Sequence, residues 1–118
     1  MTHPTRGQIY LVRFDPTIGH EIQKTRPALI IQNDIGNKFS HITIVADITS
    51  KLSPVPYPVE VSLSPTKQNG LTAPSSIHLD QIRSVDKKRL VKLLGKVDAQ
   101  TMSSVDGAIK VSLGLISL

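Results

Sequence analysis

The chain is predicted to fold as an α+β domain, mainly β. The expected form is a small antiparallel sheet or barrel of five or six strands, closed by one C-terminal helix. Three observations predict it. Short apolar runs rich in β-branched residues recur through most of the chain. Turn residues separate these runs at close intervals. The closing segment then changes to a helical period, with Met102, Val105, Ala108, Ile109 and Leu113 recurring on one face.

The elements follow in order. In residues 8–14, Ile9 and Leu11 alternate with Tyr10, Val12 and Phe14, so both faces are largely apolar and the strand is predicted to be central. Residues 14–27 form a loop, and residues 28–32 an Ile-rich strand. Residues 33–37 (Asn-Asp-Ile-Gly-Asn) read as turn chemistry. Residues 42–46 form a β-branched strand that delivers Asp47, Ile48, Thr49 and Ser50 at its end. Pro54, Pro56 and Pro58 cannot pair on both sides, so that stretch is an exposed extended loop. A strand over residues 59–63, a turn at Asn69-Gly70 and a strand over residues 76–83 come next. Residues 85–94 are mixed, with a helical turn at 86–90. Asp98 is placed to cap the final helix and Gly114 to stop it.

Composition bounds the function. The 118 residues suit a single domain spanning 1–118. At 39% hydrophobic and only 3% aromatic, the core must be built mainly from Ile, Leu and Val. The absence of cysteine excludes disulfides, thiolate zinc sites and cysteine nucleophiles. The four histidines (3, 20, 41 and 78) show no ligand spacing, so neither metal nor cofactor is expected. No apolar stretch suggests a signal peptide or a membrane span, which predicts a cytoplasmic protein. The net charge of +5 favours polyanions or acidic proteins as partners. The densest cations (Lys87, Lys88, Arg89 and Lys92) also fit the solvated side of a short helix.

The loop of residues 14–27 is the strongest site candidate, because it gathers His20, Glu21, Lys24, Thr25 and Arg26 between two apolar runs. Pro27 biases Arg26 towards an extended backbone, so its guanidinium leaves the loop in a restricted direction. A planar, always-charged fork of donors is a good phosphate clamp.

Several ordered segments carry a resemblance. They are Arg6-Gly7-Gln8-Ile9-Tyr10, Asp15-Pro16-Thr17 with Gly19 and Glu21, Arg26-Pro27, and Gln32-Asn33-Asp34. Ile48-Thr49-Ser50, Leu79-Asp80-Gln81-Ile82-Arg83, Leu94-Gly95-Lys96 and Ser112-Leu113-Gly114-Leu115 follow. Together they resemble the MazF/PemK (Kid) family of toxin endoribonucleases, from Arg6 to about Leu115.

The resemblance implies an SH3-like or CcdB-like antiparallel barrel with a C-terminal helix, forming a homodimer. It also implies metal-independent, sequence-specific cleavage of single-stranded RNA, mainly mRNA. In that chemistry the 2′-OH attacks the adjacent phosphate and leaves 2′,3′-cyclic phosphate and 5′-OH ends. An acidic cognate antitoxin would neutralise the activity. By the same resemblance Arg26, Thr49 and Glu21 are catalytic, and Ser50, Asp80 and Gln81 line the RNA groove.

Each residue has a plainer reading. Thr49 is also a β-branched strand end, Glu21 an ion-pair partner of Lys24 or Arg26, and Gln81 a sheet residue bonded to backbone. His20 and Asp47 depart from the family pattern. His20 stands where many relatives carry serine; it either moves a proton or contacts RNA, or is simply an exposed loop histidine. Asp47 sets an acid beside Thr49, where it tunes substrate choice or repels phosphate. Two other functions stay open. One is a gyrase-poisoning binding protein of the CcdB type, which acts through a C-terminal tryptophan that this chain lacks. The other is a catalytically inactive toxin homologue.

Overall fold

A computed structural model describes residues 3–14 and 25–117. Among these residues there are six strands: β1 (Gln8–Arg13), β2 (Thr25–Ile30), β3 (Ile42–Thr49), β4 (Glu60–Leu63), β5 (Ser75–Asp86) and β6 (Leu90–Lys96). Two helices accompany them, α1 (Asp34–Phe39) and α2 (Ala99–Ser112). All pairings are antiparallel and form one sheet, ordered β4-β5-β3-β2-β1-β6. The predicted mainly β architecture with a C-terminal helix is therefore present. The barrel, however, is open: β4 and β6 end the sheet, and no pairing joins them among the described residues.

Strand alternation divides the interior into two apolar layers. Ile9, Leu29, Ala46, Ile48, Ile77 and Leu79 point to one face, where α2 covers them with Val105 and Ala108. Val12, Ala28, Ile30, Val45 and Val85 point to the other, flanked by Tyr10, Phe14 and Leu90. No ring is among the largest fully buried side chains, as the sparse aromatic content requires. Burying each Ile or Leu contributes roughly 1.5–3 kcal/mol, so the first layer anchors the fold. The strand β1 lies between β2 and β6, the central place its two apolar faces predict.

Helix α2 begins at Asp98, whose side chain accepts from the Thr101 backbone N–H at 2.8 Å. That bond holds the Asp98 carboxyl below its usual range. The helix ends at Gly114, which has φ +73°, while the Leu115 N–H donates to the Lys110 carbonyl.

One expected turn is instead a helix. In residues 33–37 the Asn33 side chain accepts from the Gly36 N–H at 2.8 Å, so turn chemistry serves here as a helix cap and α1 follows. The fully buried Asn37 then ties α1 to the sheet. Its Nδ2 donates to the Gln32 carbonyl, and its Oδ1 accepts from the Thr43 hydroxyl. The mixed segment after β5 is a 3₁₀ turn at Lys87–Arg89 followed by β6, a strand that the charged residues Lys92 and Lys96 conceal in the sequence.

The loop before β5 lies directly on β6. Gly70 has φ +70°, and a Cβ there would stand 2.1 Å from the Leu94 carbonyl oxygen. Only glycine permits both the left-handed backbone and this approach. The loop carries Leu71, Thr72 and Ala73, which form one wall of the site described next.

Candidate functional site

The second sheet face turns polar at one end, and the register explains why. Ala28 pairs with Asp47, so these residues share a face with Val45, and Arg26 and Thr49 lie two residues further along their strands. Buried Val45 pairs with Arg83 on the other side. The same alternation that fills the second apolar layer thus brings Arg26, Asp47, Thr49 and Arg83 to its margin.

Between Ala46 and Asp47 the register with β5 slips. Ala46 faces Ile82 while Asp47 faces His78, so Leu79, Asp80 and Gln81 bulge from the ladder. Bulges of this kind re-aim side chains beside functional sites. Here it brings Gln81 into a cavity with Arg26, Asp47, Thr49 and His78.

Two hollows meet at this point. One of about 160 Å³ is lined by Arg26, Asp47, Ile48, Thr49, His78 and Gln81. The other, of about 230 Å³, lies between Arg26, Thr49 and Ser50 on one side and Leu71, Thr72 and Ala73 on the other. Arg26, Ile48 and Thr49 line both. The arginine and the threonine therefore stand on a shared wall with a hollow on either side.

The charges are arranged around Phe14. The Arg83 guanidinium carbon lies 4.3 Å from the Phe14 ring centroid, and that of Arg26 lies 5.3 Å from it. Both fall within cation–π range. Arg83 Nη2 donates to Asp47 Oδ2 at 3.2 Å, whereas Arg26 Nη2 stands 3.7 Å from the same oxygen, beyond hydrogen-bond reach. Asp47 is thus paired with Arg83, and among the described residues Arg26 makes no side-chain hydrogen bond, so its donors can face another anion. Thr49 Oγ1 accepts from the Lys51 N–H at 3.1 Å, which leaves its own proton to donate.

Glu60 supports the cavity from β4. Its nearly buried carboxylate accepts from the Tyr57 N–H and the Ser53 hydroxyl, and lies 3.4 Å from His78 Nε2. The Tyr57 N–H, above all, holds the Glu60 pKa below its usual value; burial opposes this, and Ser53 and His78 reinforce it. A depressed carboxyl stabilises the fold above its unfolded pKa, and that contribution is lost as pH falls through the folded value. Urea midpoints are therefore expected to be flat above about pH 5 and to fall below about pH 4.5. Glu60→Gln should give a shallower acid limb; a limb identical to wild type would remove Glu60 from this account.

The predicted site residues divide three ways. Arg26, Thr49 and Gln81 come together in one cavity, and Ser50 joins Arg26 and Thr49 in the other. Asp80 lines neither hollow and lies 3.7 Å from His78 Nδ1. His20 and Glu21 lie outside the described residues. Sequence reasoning gave no role to Phe14, His78 or Arg83. Strand alternation alone could place Arg83 on a face, but His78 reaches the site through a register slip with no local signature.

Residues 5–113 match the family described as PemK-like, MazF-like toxin of type II toxin-antitoxin system. The chain is similar to Endoribonuclease EndoA of Bacillus subtilis (strain 168). The two are 41% identical over 111 residues, which cover 94% of this chain and 95% of that protein. Among solved structures it is similar to MazE-MazF (Form-II) from Deinococcus radiodurans, with TM-score 0.82 and 26% identity, covering 98% of this chain and 100% of the other. It is also similar to an endoribonuclease in complex with its cognate antitoxin from Mycobacterial species. There the TM-score is 0.77 at 26% identity, covering 98% of this chain and 99% of the other.

Proposed function

The chain belongs to the PemK-like, MazF-like toxin family of type II toxin-antitoxin systems, and from that premise we propose that it is a metal-independent, sequence-specific endoribonuclease acting on single-stranded RNA. The observation that carries this reading is the shared wall of Arg26 and Thr49 between two hollows. A scissile phosphate seated on that wall has room for a base on either side.

The reaction needs no nucleophile from the protein. The ribose 2′-oxygen attacks phosphorus, its proton passes to a base, and the bond from phosphorus to the 5′-oxygen breaks. The leaving 5′-oxygen takes up a proton, and the products carry 2′,3′-cyclic phosphate and 5′-OH ends. Negative charge grows on the non-bridging oxygens as the fifth bond forms. Arg26, with its donors unclaimed by Asp47, stabilises that charge, and the free Thr49 proton adds a second donor. Arg26 also offers a hydrogen bond to the departing oxygen. A guanidinium stays protonated, so it does not act as the base. That role belongs to Glu21 or His20. Ser50, Asp80 and Gln81 contact the RNA on either side.

We propose that an acidic antitoxin segment, favoured by the chain's net charge of +5, occludes this groove and orders as it binds. We also propose a homodimer in the cytoplasm. Exposed Ile35, Phe39, Val91, Leu93, Leu113 and Leu115 provide apolar surface for a partner subunit. Among the described residues no helix is long and apolar enough to cross a membrane.

The test is cleavage of a long single-stranded RNA in EDTA, with the new ends identified chemically. Fragments ending in 2′,3′-cyclic phosphate and beginning with 5′-OH are expected. Intact RNA across several sequences, from folded protein, would turn the reading towards an inactive homologue. Products bearing 3′-OH ends would instead reject the 2′-OH mechanism.

A further inference from the structure

The proposed reaction moves a proton at each end, and only one end has a residue to move it. Glu21 or His20 takes the proton of the 2′-OH. The leaving 5′-oxygen must also gain a proton. Arg26 stays protonated, so it offers that oxygen a hydrogen bond but not the proton itself.

A histidine lines the same cavity, and the register explains its position. Glu60 on β4 pairs with His78 on β5, His78 pairs with Asp47 on β3, and Asp47 pairs with Ala28 on β2. Directly opposed residues share a face of the sheet. The row therefore sets Glu60 and His78 on the face that carries Arg26 and Thr49. His78 lines the hollow of about 160 Å³ together with both of them.

The two ring nitrogens differ. Nε2 is sealed from solvent and has no hydrogen bond among the described residues; the acceptor within reach is Glu60 Oε1, at 3.4 Å. A sealed ring nitrogen needs a partner, so its proton stays on Nε2, facing that carboxylate. Glu60 is itself held by the Tyr57 N–H and the Ser53 hydroxyl, so it fixes the ring. Nδ1 is not sealed. It stands 3.7 Å from Asp80 Oδ1, beyond hydrogen-bond reach, and the Asp80 side chain is half exposed. Nδ1 is thus the nitrogen left for an outside partner. A purely structural pair would account for Glu60 and Nε2, but it would not require the ring to line a cavity beside Arg26 and Thr49.

We infer that His78 is a further catalytic residue, the general acid that protonates the leaving 5′-oxygen from Nδ1, and that Glu60 is its positioning residue. The inference rests on the proposed ribonuclease function. As the bond from phosphorus to the 5′-oxygen breaks, its electron pair goes to that oxygen, which takes the Nδ1 proton. The N–H electron pair stays on the ring, which ends neutral with its other proton on Nε2. Solvent returns a proton to Nδ1, balancing the one that the base releases. Asp80, Asp47 and Arg26 also face the ring or its cavity, and none of them changes charge in the step.

Two RNA strands separate an acid from any other role. One is all-oxygen; in the other, sulfur replaces the bridging 5′-oxygen at the bond that the wild type cleaves. A thiolate leaves without a proton, so the second strand needs no acid. His78→Gln is expected to cleave the all-oxygen strand roughly 10²–10⁴-fold more slowly and the sulfur strand within about threefold of wild type. Glu60→Gln should give the same pattern, more weakly. The wild type tests the assignment without substitution: kcat should fall at alkaline pH on the all-oxygen strand, where the acid must be protonated, and not on the sulfur strand.

An unchanged rate on the all-oxygen strand in His78→Gln overturns the inference and leaves the ribonuclease function standing. So does an equal loss on both strands, which would make His78 structural or the base. An alkaline limb common to both strands in the wild type would do the same. A wild type that cleaves neither strand would reject the ribonuclease function, and the inference with it.

Discussion

Replacing Arg26 with alanine is expected to lower the rate of RNA cleavage by about 10³-fold while the protein stays folded. One preorganised donor to a developing oxyanion is worth roughly 10²–10³ in kcat. Arg26 carries a full charge as well, which places the loss at the upper end. Its side chain is 46% exposed and makes no hydrogen bond to Asp47, so the fold loses little with it. Part of the present geometry comes from Phe14, over whose ring the guanidinium lies. Arg26→Lys keeps the charge but loses the planar fork, and should recover only a fraction of the rate. Single-turnover cleavage measured beside a urea melt decides the matter. An alanine variant that is folded and cleaves within threefold of wild type would remove Arg26 from the chemistry. A fall confined to KM would assign it to binding alone.

Arg26 was legible as a candidate in the sequence because its signal is local. A charged residue before proline, in a loop rich in proton-bearing side chains, marks a candidate, and the family resemblance lifts it above a solvated turn between two strands. The apolar layers were legible for a similar reason: Ile9 and Val12 in β1, and Leu29 and Ile30 in β2, alternate within a few residues. The Asp98 cap was read from one residue type ahead of a helical stripe. Helix α1 was missed because Asn33 and Gly36 suit a turn and a helix start equally well. What decides for helix is Asn37, whose partners Gln32 and Thr43 are assembled only by the folded sheet. The extent of barrel closure was missed because edge pairing depends on the curvature of all six strands. Within the site, Asp47 attracted notice as an acid beside Thr49, but its meaning depends on Arg83. That pairing spans β3 and β5 next to a register slip, and no spacing along the chain reports it. The roles expected of Glu21 and His20 rest on sequence alone, since both lie outside the described residues.

Arg83 leads to the second large effect. Arg83→Ala is expected to reduce cleavage by roughly 10- to 100-fold although Arg83 is assigned no step in the reaction. Its removal leaves Asp47, with a side chain only 7% exposed, without its hydrogen-bond donor. Stranding a buried charge costs far more than the pair itself contributes. Among the described residues the nearest remaining cation is Arg26, 3.7 Å from the same oxygen. A shift of well under 1 Å brings it into hydrogen-bond range, which is about 2.7–3.2 Å. Arg26 would then neutralise Asp47, and the phosphate would have to compete for it. Because Arg83 and Arg26 are both nearly half exposed, solvent screens part of the penalty, and the stability loss is expected to be about 1–3 kcal/mol.

The reverse change should behave differently. Asp47→Ala leaves two guanidiniums with access to water, so it costs little stability and leaves Arg26 free. The double variant Arg83→Ala/Asp47→Ala should therefore recover most of the rate lost in Arg83→Ala. The comparison is made as kcat at saturating RNA, so that a change in affinity does not enter. Such recovery is a coupling between neighbours that independent contributions cannot produce. A double variant as slow as Arg83→Ala would mean that Arg83 acts on the RNA itself. In that case the carboxylate is a bystander to the arginine beside it.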